Sequence, residues 1–210
     1  MTTFDFYSIG HSNIPAERFV GLLRAAGVHA IADVRSTPFS RFCPWFSAKT
    51  LKPLLEHDGI DYLSYGGALG GRPQRPELYC DGVADYEAMA RQSEFQAGLD
   101  RLIGDMARSR AQDRTPGRLC LMCAEREPLD CHRCLLVARA LAARGFTVGH
   151  ILHDGGIEPH AATERRLLEL GSADGDLFAT GQSERIAAAY RRRARAVAYR
   201  AKGADAVKTQ

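Results

Sequence analysis

Short apolar runs alternate with helical stretches over most of this chain, and this alternation restricts the fold more than any other feature of the sequence. Five runs are short and largely apolar, as is typical of buried strands; they cover residues 4–10, 29–36, 60–66, 118–125 and 146–155. Stretches with apolar residues at helical spacing separate these runs, and Gly27 and Gly59 are predicted to stop two of the helices. Strands that alternate with helices in this way usually pair in parallel.

The pattern predicts an α/β protein, with a three-layer α/β/α sandwich around a mostly parallel sheet of about five strands, of the Rossmann-like type. We expect this domain to cover residues 1–170. Residues 171–182, "GSADGDLFATGQ", are small, polar and Gly-rich, which indicates a linker. A basic helix is predicted after it, so that residues 171–210 form a linker and a basic helical C-terminal extension.

Composition and charge exclude some classes of protein. The hydrophobic fraction is 45% and the charged fraction 25%, as in ordinary soluble domains. No apolar run is long enough for a membrane span, and the first residues do not resemble a signal peptide, so we expect a cytoplasmic protein without membrane contact. The net charge is +3, and residues 171–210 carry eight Lys/Arg against four Asp/Glu. The basic character therefore belongs to the C-terminal extension.

Each predicted strand is followed by polar, titratable or glycine residues. In an open parallel sheet, ligands bind outside the carboxyl ends of the strands, so these residues are candidates for one site. In chain order they are His11, Asn13, Asp33, Arg35, Arg41, Gly70, Gly71, Arg72, Cys123, Glu125, Cys131, His132 and Arg133. His153, Asp154, Gly155 and Gly156 follow the fifth strand in the same way, and five such strand ends together predict a functional site.

Four of the six cysteines fall close together, at positions 120, 123, 131 and 134. Cys120 and Cys123 lie in one predicted strand at a spacing that places their side chains on opposite faces. The gap between the two pairs is also shorter than in common zinc ribbons. We therefore expect Cys120 and Cys134 to be core thiols, and not members of a four-cysteine zinc site.

Cys123 and Cys131 are the candidates for thiol chemistry. Cys131 lies near a predicted helix N-terminus, where backbone N–H groups and the helix dipole stabilise a thiolate. One interpretation is that these cysteines act as a nucleophile or a redox thiol. The other is that they are small polar residues that cap the ends of the strand and the helix. Glu125 is a candidate general acid or base, and a salt bridge to Arg35 or Arg133 is the alternative.

Arginines and one histidine complete the candidate site. If Arg35, Arg41, Arg72 and Arg133 converge from their different loops, the pocket is cationic and suits a phosphate or carboxylate. Surface charges are the alternative for each arginine taken alone. His11 is a candidate acid or base because it directly follows a buried strand. The sequence contains no Walker loop and no dinucleotide-binding fingerprint.

The stretches "YSIGHSN", "IADVRSTPFSR", "LGGRP" and "LMCAEREPLDCHR" occur in this order and resemble the family called domain of unknown function 488. The resemblance spans residues 4–170 and implies a single α/β domain whose site is built from the thirteen candidates given above. Cys120 and Cys134 are not part of the family pattern. The resemblance implies no established reaction.

The candidate residues favour an enzyme that hydrolyses, or transfers a group of, a phosphorylated small molecule, a nucleotide or a nucleic-acid fragment. Cys123, Glu125 and His11 are predicted to be catalytic, and the remaining candidates to bind the anion. No cofactor is expected; a mononuclear zinc or iron site is the alternative. A second hypothesis is a non-catalytic module that binds a nucleotide, or nucleic acid through the basic extension.

Overall fold

The computed structural model describes residues 3–111, 118–171 and 181–201. Within these residues the strands are β1 (Phe6–Gly10), β2 (Ala30–Asp33), β3 (Asp61–Ser64), β4 (Tyr79–Cys80), β5 (Val83–Ala84), β6 (Leu119–Cys123), β7 (Val148–Ile151) and β8 (Ile157–Pro159). The α-helices are α1 (Ala16–Ala25), α2 (Ala48–His57), α3 (Gly66–Leu69), α4 (Tyr86–Ala90), α5 (Ser93–Ala111), α6 (Arg139–Ala143), α7 (His160–Gly171) and α8 (Gln182–Val197). A π-helical segment, Arg133–Ala138, runs directly into α6.

Six strands form one sheet in the order β3-β2-β6-β1-β7-β8. All neighbours are parallel except β7 and β8, which are antiparallel. The predicted α/β class and mostly parallel sheet are therefore confirmed. The strand β8 was not among the predicted strands, because a strand of three residues carries no readable periodicity.

After the two central strands, β1 and β6, the chain continues toward opposite edges of the sheet. After β1 the chain crosses through α1 to β2, whereas after β6 it crosses through the π-helical segment and α6 to β7. The carboxyl ends of β1 and β6 consequently border a crevice where the strand order reverses. Open α/β sheets bind their ligands at such switch points.

Helices cover both faces of the sheet. On one face, Phe19 and Leu23 of α1 and Leu51 of α2 pack in a buried cluster. On the other face, Leu99 of α5 and Leu135 of the π-helical segment belong to a second buried cluster. Apolar surface is thus removed from water on both sides of the sheet, which is the layered arrangement that the sequence predicted.

Most predicted helix boundaries are observed. Gly27 and Gly59 follow α1 and α2 with positive φ angles, as expected of helix stops. The helix α2 extends from Ala48 to His57 with Pro53 inside it. Among the described residues, no helix combines the length and the apolar character needed to cross a membrane.

The basic extension packs on the domain. Most of the predicted linker, residues 172–180, lies outside the described residues, but α8 packs against α7 and buries Tyr190. Beyond α8 the chain joins the β4–β5 hairpin, because the N–H of Ala84 donates to the carbonyl of Tyr199, and the N–H of Ala201 donates to that of Gly82. The extension is therefore fixed to the domain at two places, through α8 and through residues 199–201, which bridge to the hairpin.

Candidate functional site

A cavity of about 580 Å³ opens at the switch point of the sheet. This volume is within the range of about 300–1,000 Å³ that is typical of small-molecule sites. Eight of the predicted site residues line it: His11, Arg35, Arg41, Gly71, Arg72, Cys123, Glu125 and His132. The loops after β1, β2 and β6 therefore do meet, as the strand-end argument predicted.

The other five candidates do not line the cavity. Asp33, Cys131 and Arg133 are buried behind its wall, and Gly70 precedes the lining residue Gly71. Asn13 is exposed and lies outside the lining. Direct contact between these five residues and a ligand in the cavity is not supported by the structure; Asp33, Cys131 and Arg133 act on the residues that do line it.

Cys123, Glu125 and His132 form the floor of the cavity, and with the buried Cys131 behind them they make a compact cluster, which we call the CECH cluster. The sulfur atoms of Cys123 and Cys131 each lie 3.0 Å from Oε2 of Glu125. Nδ1 of His132 lies 3.5 Å from the Cys123 sulfur and 4.0 Å from the Cys131 sulfur. Glu125 therefore contacts two thiols, and not the arginines that were the alternative partners of its carboxylate.

Hydrogen bonds outside the cluster orient His132 and Cys131. Nε2 of His132 donates to the carbonyl oxygen of Val34 at 2.9 Å, so the proton of the neutral ring is on Nε2 and the lone pair on Nδ1 faces the sulfurs. The backbone N–H of Arg133 lies 3.5 Å from the Cys131 sulfur. This N–H belongs to the start of the helical segment that the sequence predicted to stabilise a thiolate.

The two thiols of the cluster have different acidities. Burial raises the pKa of Cys123 well above its ordinary value, and the neighbouring Cys131 and Glu125 raise it further. Burial alone would also raise the pKa of Cys131. The hydrogen bond from Cys123 and the charge of Arg133 outweigh burial and place that pKa well below its ordinary value. Burial likewise raises the pKa of Glu125. Cys131 is therefore the more acidic of the two thiols of the cluster and the first to become a thiolate.

Arg133 is a fully buried cation behind the cluster. It is 1% exposed, and it donates to the carbonyl oxygens of Glu125 at 2.5 Å and Arg126 at 3.0 Å. Its Nε has no hydrogen-bond partner, and no described carboxylate pairs with it. A buried charge is costly unless it is compensated. The thiolate of Cys131 supplies negative charge beside this guanidinium, so the environment of Arg133 favours an anionic cluster.

His11 positions Arg35. Nδ1 of His11 donates to the Ser12 carbonyl oxygen at 2.7 Å, and Nε2 accepts from Nη1 of Arg35 at 3.0 Å. The ring also stacks on Phe46 with centroids 4.2 Å apart. Burial lowers the pKa of His11 to about 4. Both ring nitrogens are occupied, so the geometry favours a positioning residue and does not support the predicted role in proton transfer.

Asp33 holds Arg35 from the other side. Its carboxylate accepts from Nε of Arg35 at 2.9 and 3.1 Å and from Nη2 at 2.6 Å, and it also accepts from the Tyr62 hydroxyl at 2.6 Å. Each terminal nitrogen of Arg35 still has a second N–H. Arg35 lines the cavity, so these remaining donors are the part of its guanidinium that is free to bind an anionic ligand.

Two glycines allow the close packing of the site. A Cβ on Gly10, at the end of β1, would lie 1.7 Å from the carbonyl oxygen of Glu125. A Cβ on Gly71 would lie 2.6 Å from Cγ of the His132 ring. Gly71 was among the residues predicted to bind the anion. The structure instead shows that it leaves room for a side chain of the cluster.

Aromatic residues at the cavity mouth were missed by the sequence analysis. Phe39 and Phe42 line the cavity and are 67% and 82% exposed. Trp45, which follows them on the same loop, does not line the cavity and donates to the Ile14 carbonyl oxygen. The spacing of Phe39 and Phe42 around Arg41 was the available signal, but sequence alone does not reveal which loop aromatic faces solvent.

The C-terminal extension supplies another part of the wall that sequence reasoning missed. Val197 and Tyr199 line the cavity, and the guanidinium of Arg72 lies over the Tyr199 ring, 4.9 Å from its centroid. These residues are distant in sequence from every motif of the site. Only the docking of α8 and the pairing of residue 199 with the hairpin bring them to the cavity.

Fold and site together define an α/β protein with a thiol, carboxylate and imidazole cluster under a cationic cavity. The model of the family described as "Domain of unknown function DUF488" matches residues 15–140, more than half of the chain, and the chain belongs to this family. The suggested resemblance is thus confirmed, over a shorter range than expected. No match was found among curated proteins or among solved structures.

Proposed function

We propose that this protein is an enzyme that hydrolyses, or transfers a group of, a phosphorylated small molecule, with nucleotides as the class that fits best. One observation carries the proposal. A single cavity joins three arginines and two exposed aromatic rings to a floor formed by the CECH cluster. Ligand-binding cations and reactive groups in one concave site are the combination expected of an active site.

The charge of the cavity supports an anionic substrate. Arg41 and Arg72 line it, and within the described parts of the chain no carboxylate forms an ion pair with either. Their guanidinium groups contact aromatic rings, with 4.9 Å from Arg41 to the Phe42 centroid and the same distance from Arg72 to Tyr199. These contacts leave their N–H groups available, and guanidinium binds phosphate oxygens in a bidentate manner.

The exposed rings support a planar group on the substrate. Exposed apolar groups that lie together can mark a ligand-binding groove. Phe39 and Phe42 flank the mouth beside Arg41, so a ring that stacks there places an attached phosphate near the arginines. Stacking on an aromatic side chain accepts any base, because every base has a π-face.

The reactive groups are the members of the cluster that border the cavity. Cys123 and Glu125 both line it, and their contact of 3.0 Å couples the thiol to the carboxylate. We assign to these two residues the proton-transfer or nucleophilic step. His11 is assigned to the placement of Arg35.

Ligand titration of the full chain tests the proposal. Nucleoside phosphates should raise the unfolding temperature, whereas the corresponding uncharged nucleosides should not. Arg72→Gln and Arg41→Gln should each weaken the affinity by about 10- to 100-fold, because each removes charge-assisted hydrogen bonds worth about 1.5–3 kcal/mol. Arg24→Gln, which changes an exposed ion pair with Asp58, is the matched control.

Enzymatic turnover is then measured with the phosphorylated compound that binds in this titration. Glu125→Gln and Cys123→Ser should still bind it but should not convert it. Full turnover in both variants would remove these residues from the mechanism. Failure of every phosphorylated compound to bind the wild-type protein would reject the substrate class.

The alternative of a nucleic-acid-binding module receives less support. Arg191, Arg193 and Arg195 of α8 pair with the carboxylates of Glu87, Asp130 and Asp81 on the domain. These arginines therefore contribute to docking of the extension, which leaves less of its charge for phosphates. Binding of single-stranded or duplex DNA with a steep loss of affinity at higher salt would favour the module.

A further inference from the structure

We propose that Cys123, Glu125, Cys131 and His132 bind one zinc ion, with Glu125 as the ligand on the cavity side. Their ligand atoms all lie within 4.8 Å of one another. Thiolate, imidazole and carboxylate are the ligand types of protein zinc sites. Metal binding goes beyond the proposed function. Because Cys123 and Glu125 are ligands in the zinc-bound protein, the reactive step assigned to them above applies to the metal-free protein.

The distances within the cluster fit tetrahedral coordination. Zinc bonds of about 2.3 Å to sulfur and about 2.0 Å to nitrogen or oxygen place tetrahedral ligands about 3.3–3.8 Å apart. The observed separations are 3.0 Å from Glu125 oxygen to each sulfur and 3.5 and 4.0 Å from His132 Nδ1 to the two sulfurs. Each of these four separations lies within about 0.3 Å of that range, and all the ligand atoms lie within 4.8 Å of one another.

The surroundings of His132 are those of a metal ligand. Its Nε2 donates to the carbonyl oxygen of Val34. This hydrogen bond fixes the orientation of the ring, so that the lone pair on Nδ1 points at the two sulfurs. Gly71 packs against the ring on the other side. The imidazole is thus held in one orientation before any ion arrives.

The local charge also favours a divalent ion. In the zinc-bound site the two sulfurs and the carboxylate carry three negative charges, because thiols lose their protons when they bind a metal. A zinc ion reduces this to one negative charge, and the buried Arg133, which has no described carboxylate partner, balances that charge.

A second cluster, Cys134, His150 and His160, also has closely spaced ligand atoms. Its nitrogens are already used. His150 contacts Ser8 through Nδ1 at 2.6 Å and His160 through Nε2 at 3.0 Å, and Nε2 of His160 contacts the Tyr190 hydroxyl at 3.0 Å. Because no ring lone pair remains unoccupied there, we assign the metal to the CECH cluster.

The test is metal analysis of the full-length protein, purified reduced, without chelator, from zinc-supplemented cells. We expect about one zinc ion per chain by elemental analysis and native mass spectrometry. Cys131→Ser and His132→Asn should lose the ion, Glu125→Gln should bind it more weakly, and Cys80→Ser, which changes an exposed cysteine outside the cluster, should keep it. Cobalt added to the metal-free wild-type protein should give thiolate-to-cobalt absorption, which tests the site even if a variant fails to fold.

Two results would overturn the proposal. One is folded, reduced wild-type protein that binds neither zinc nor cobalt. The other is retention of the ion by folded Cys131→Ser together with its loss from Cys134→Ser, which would place it in the second cluster. Nucleotide titrations of metal-free and zinc-loaded protein separate this proposal from the proposed function, because zinc binding without anion binding rejects only the latter.

Discussion

Arg35 owes its orientation to two buried partners, and this makes the site sensitive to single substitutions. Asp33→Asn removes one charge of a buried ion pair and leaves the guanidinium uncompensated. We expect a loss of about 3–5 kcal/mol in the free energy of unfolding. Urea denaturation measures this loss. Asp58→Asn, at an exposed pair with Arg24, should cost at most about 1 kcal/mol, and equal losses in the two variants would contradict the argument.

Gly71 tests how tightly the cluster is packed. In Gly71→Ala the new methyl group meets the His132 ring, which cannot move away without losing its hydrogen bond to Val34. Overpacking of this kind costs about 1–3 kcal/mol, which a urea denaturation midpoint will show. Gly67→Ala is the control, because a Cβ there meets nothing within 4 Å. That variant should be unchanged or slightly more stable.

At the scale of elements, a buried chain of hydrogen bonds joins the sheet to the C-terminal helix. The Ser8 hydroxyl donates to His150, His150 donates to His160, His160 donates to the Tyr190 oxygen, and Tyr190 donates to Glu164. This single direction is satisfied only when both histidines are neutral. Burial lowers the pKa of His150 well below 6.5 and also lowers that of His160.

This chain of hydrogen bonds predicts how the free energy of unfolding depends on pH. An unfolded histidine takes up a proton near pH 6.5, whereas the folded His150 does not, so its contribution to stability is complete above about pH 6.5 and is lost as the pH falls. His150→Asn should flatten the stability profile below that pH by up to about 1.4 kcal/mol per pH unit. Chemical denaturation at several pH values measures the slope. His57→Asn removes an exposed imidazole as a control; parallel profiles for wild type and His150→Asn would refute the prediction.

Helices and strands with a strong periodicity were predicted well from the sequence. Features that depend on contacts between distant residues were predicted poorly. The parallel strands and the stops at Gly27 and Gly59 were found, because apolar runs and glycine act locally. The strand β8 was missed because three residues carry no period. Convergence of the strand ends was predicted by topology, but the burial of Arg133 and the occupied nitrogens of His11 depend on packing that spacing does not encode.

At the scale of the whole molecule, the C-terminal extension completes the cavity. Tyr199→Ala removes the ring beneath Arg72 but leaves the main sheet unchanged. Loss of a cation–π contact worth about 0.5–1 kcal/mol should lower the affinity for phosphorylated ligands by about 2- to 5-fold. Isothermal titration measures this affinity. Arg195→Ala, which breaks an exposed pair with Asp81, is the control, and equal weakening in both variants would count against a binding role for Tyr199.

The position of β1 has a consequence for how the protein can be divided. This fully buried strand pairs with both β6 and β7, yet β1, β7 and β8 all lie outside the range that matches the family. A fragment cut to residues 15–140 would keep the residues of the CECH cluster but would expose the apolar edge of β6 where β1 had been. Unpaired apolar edges recruit other chains, so such a fragment should aggregate instead of serving as a minimal catalyst.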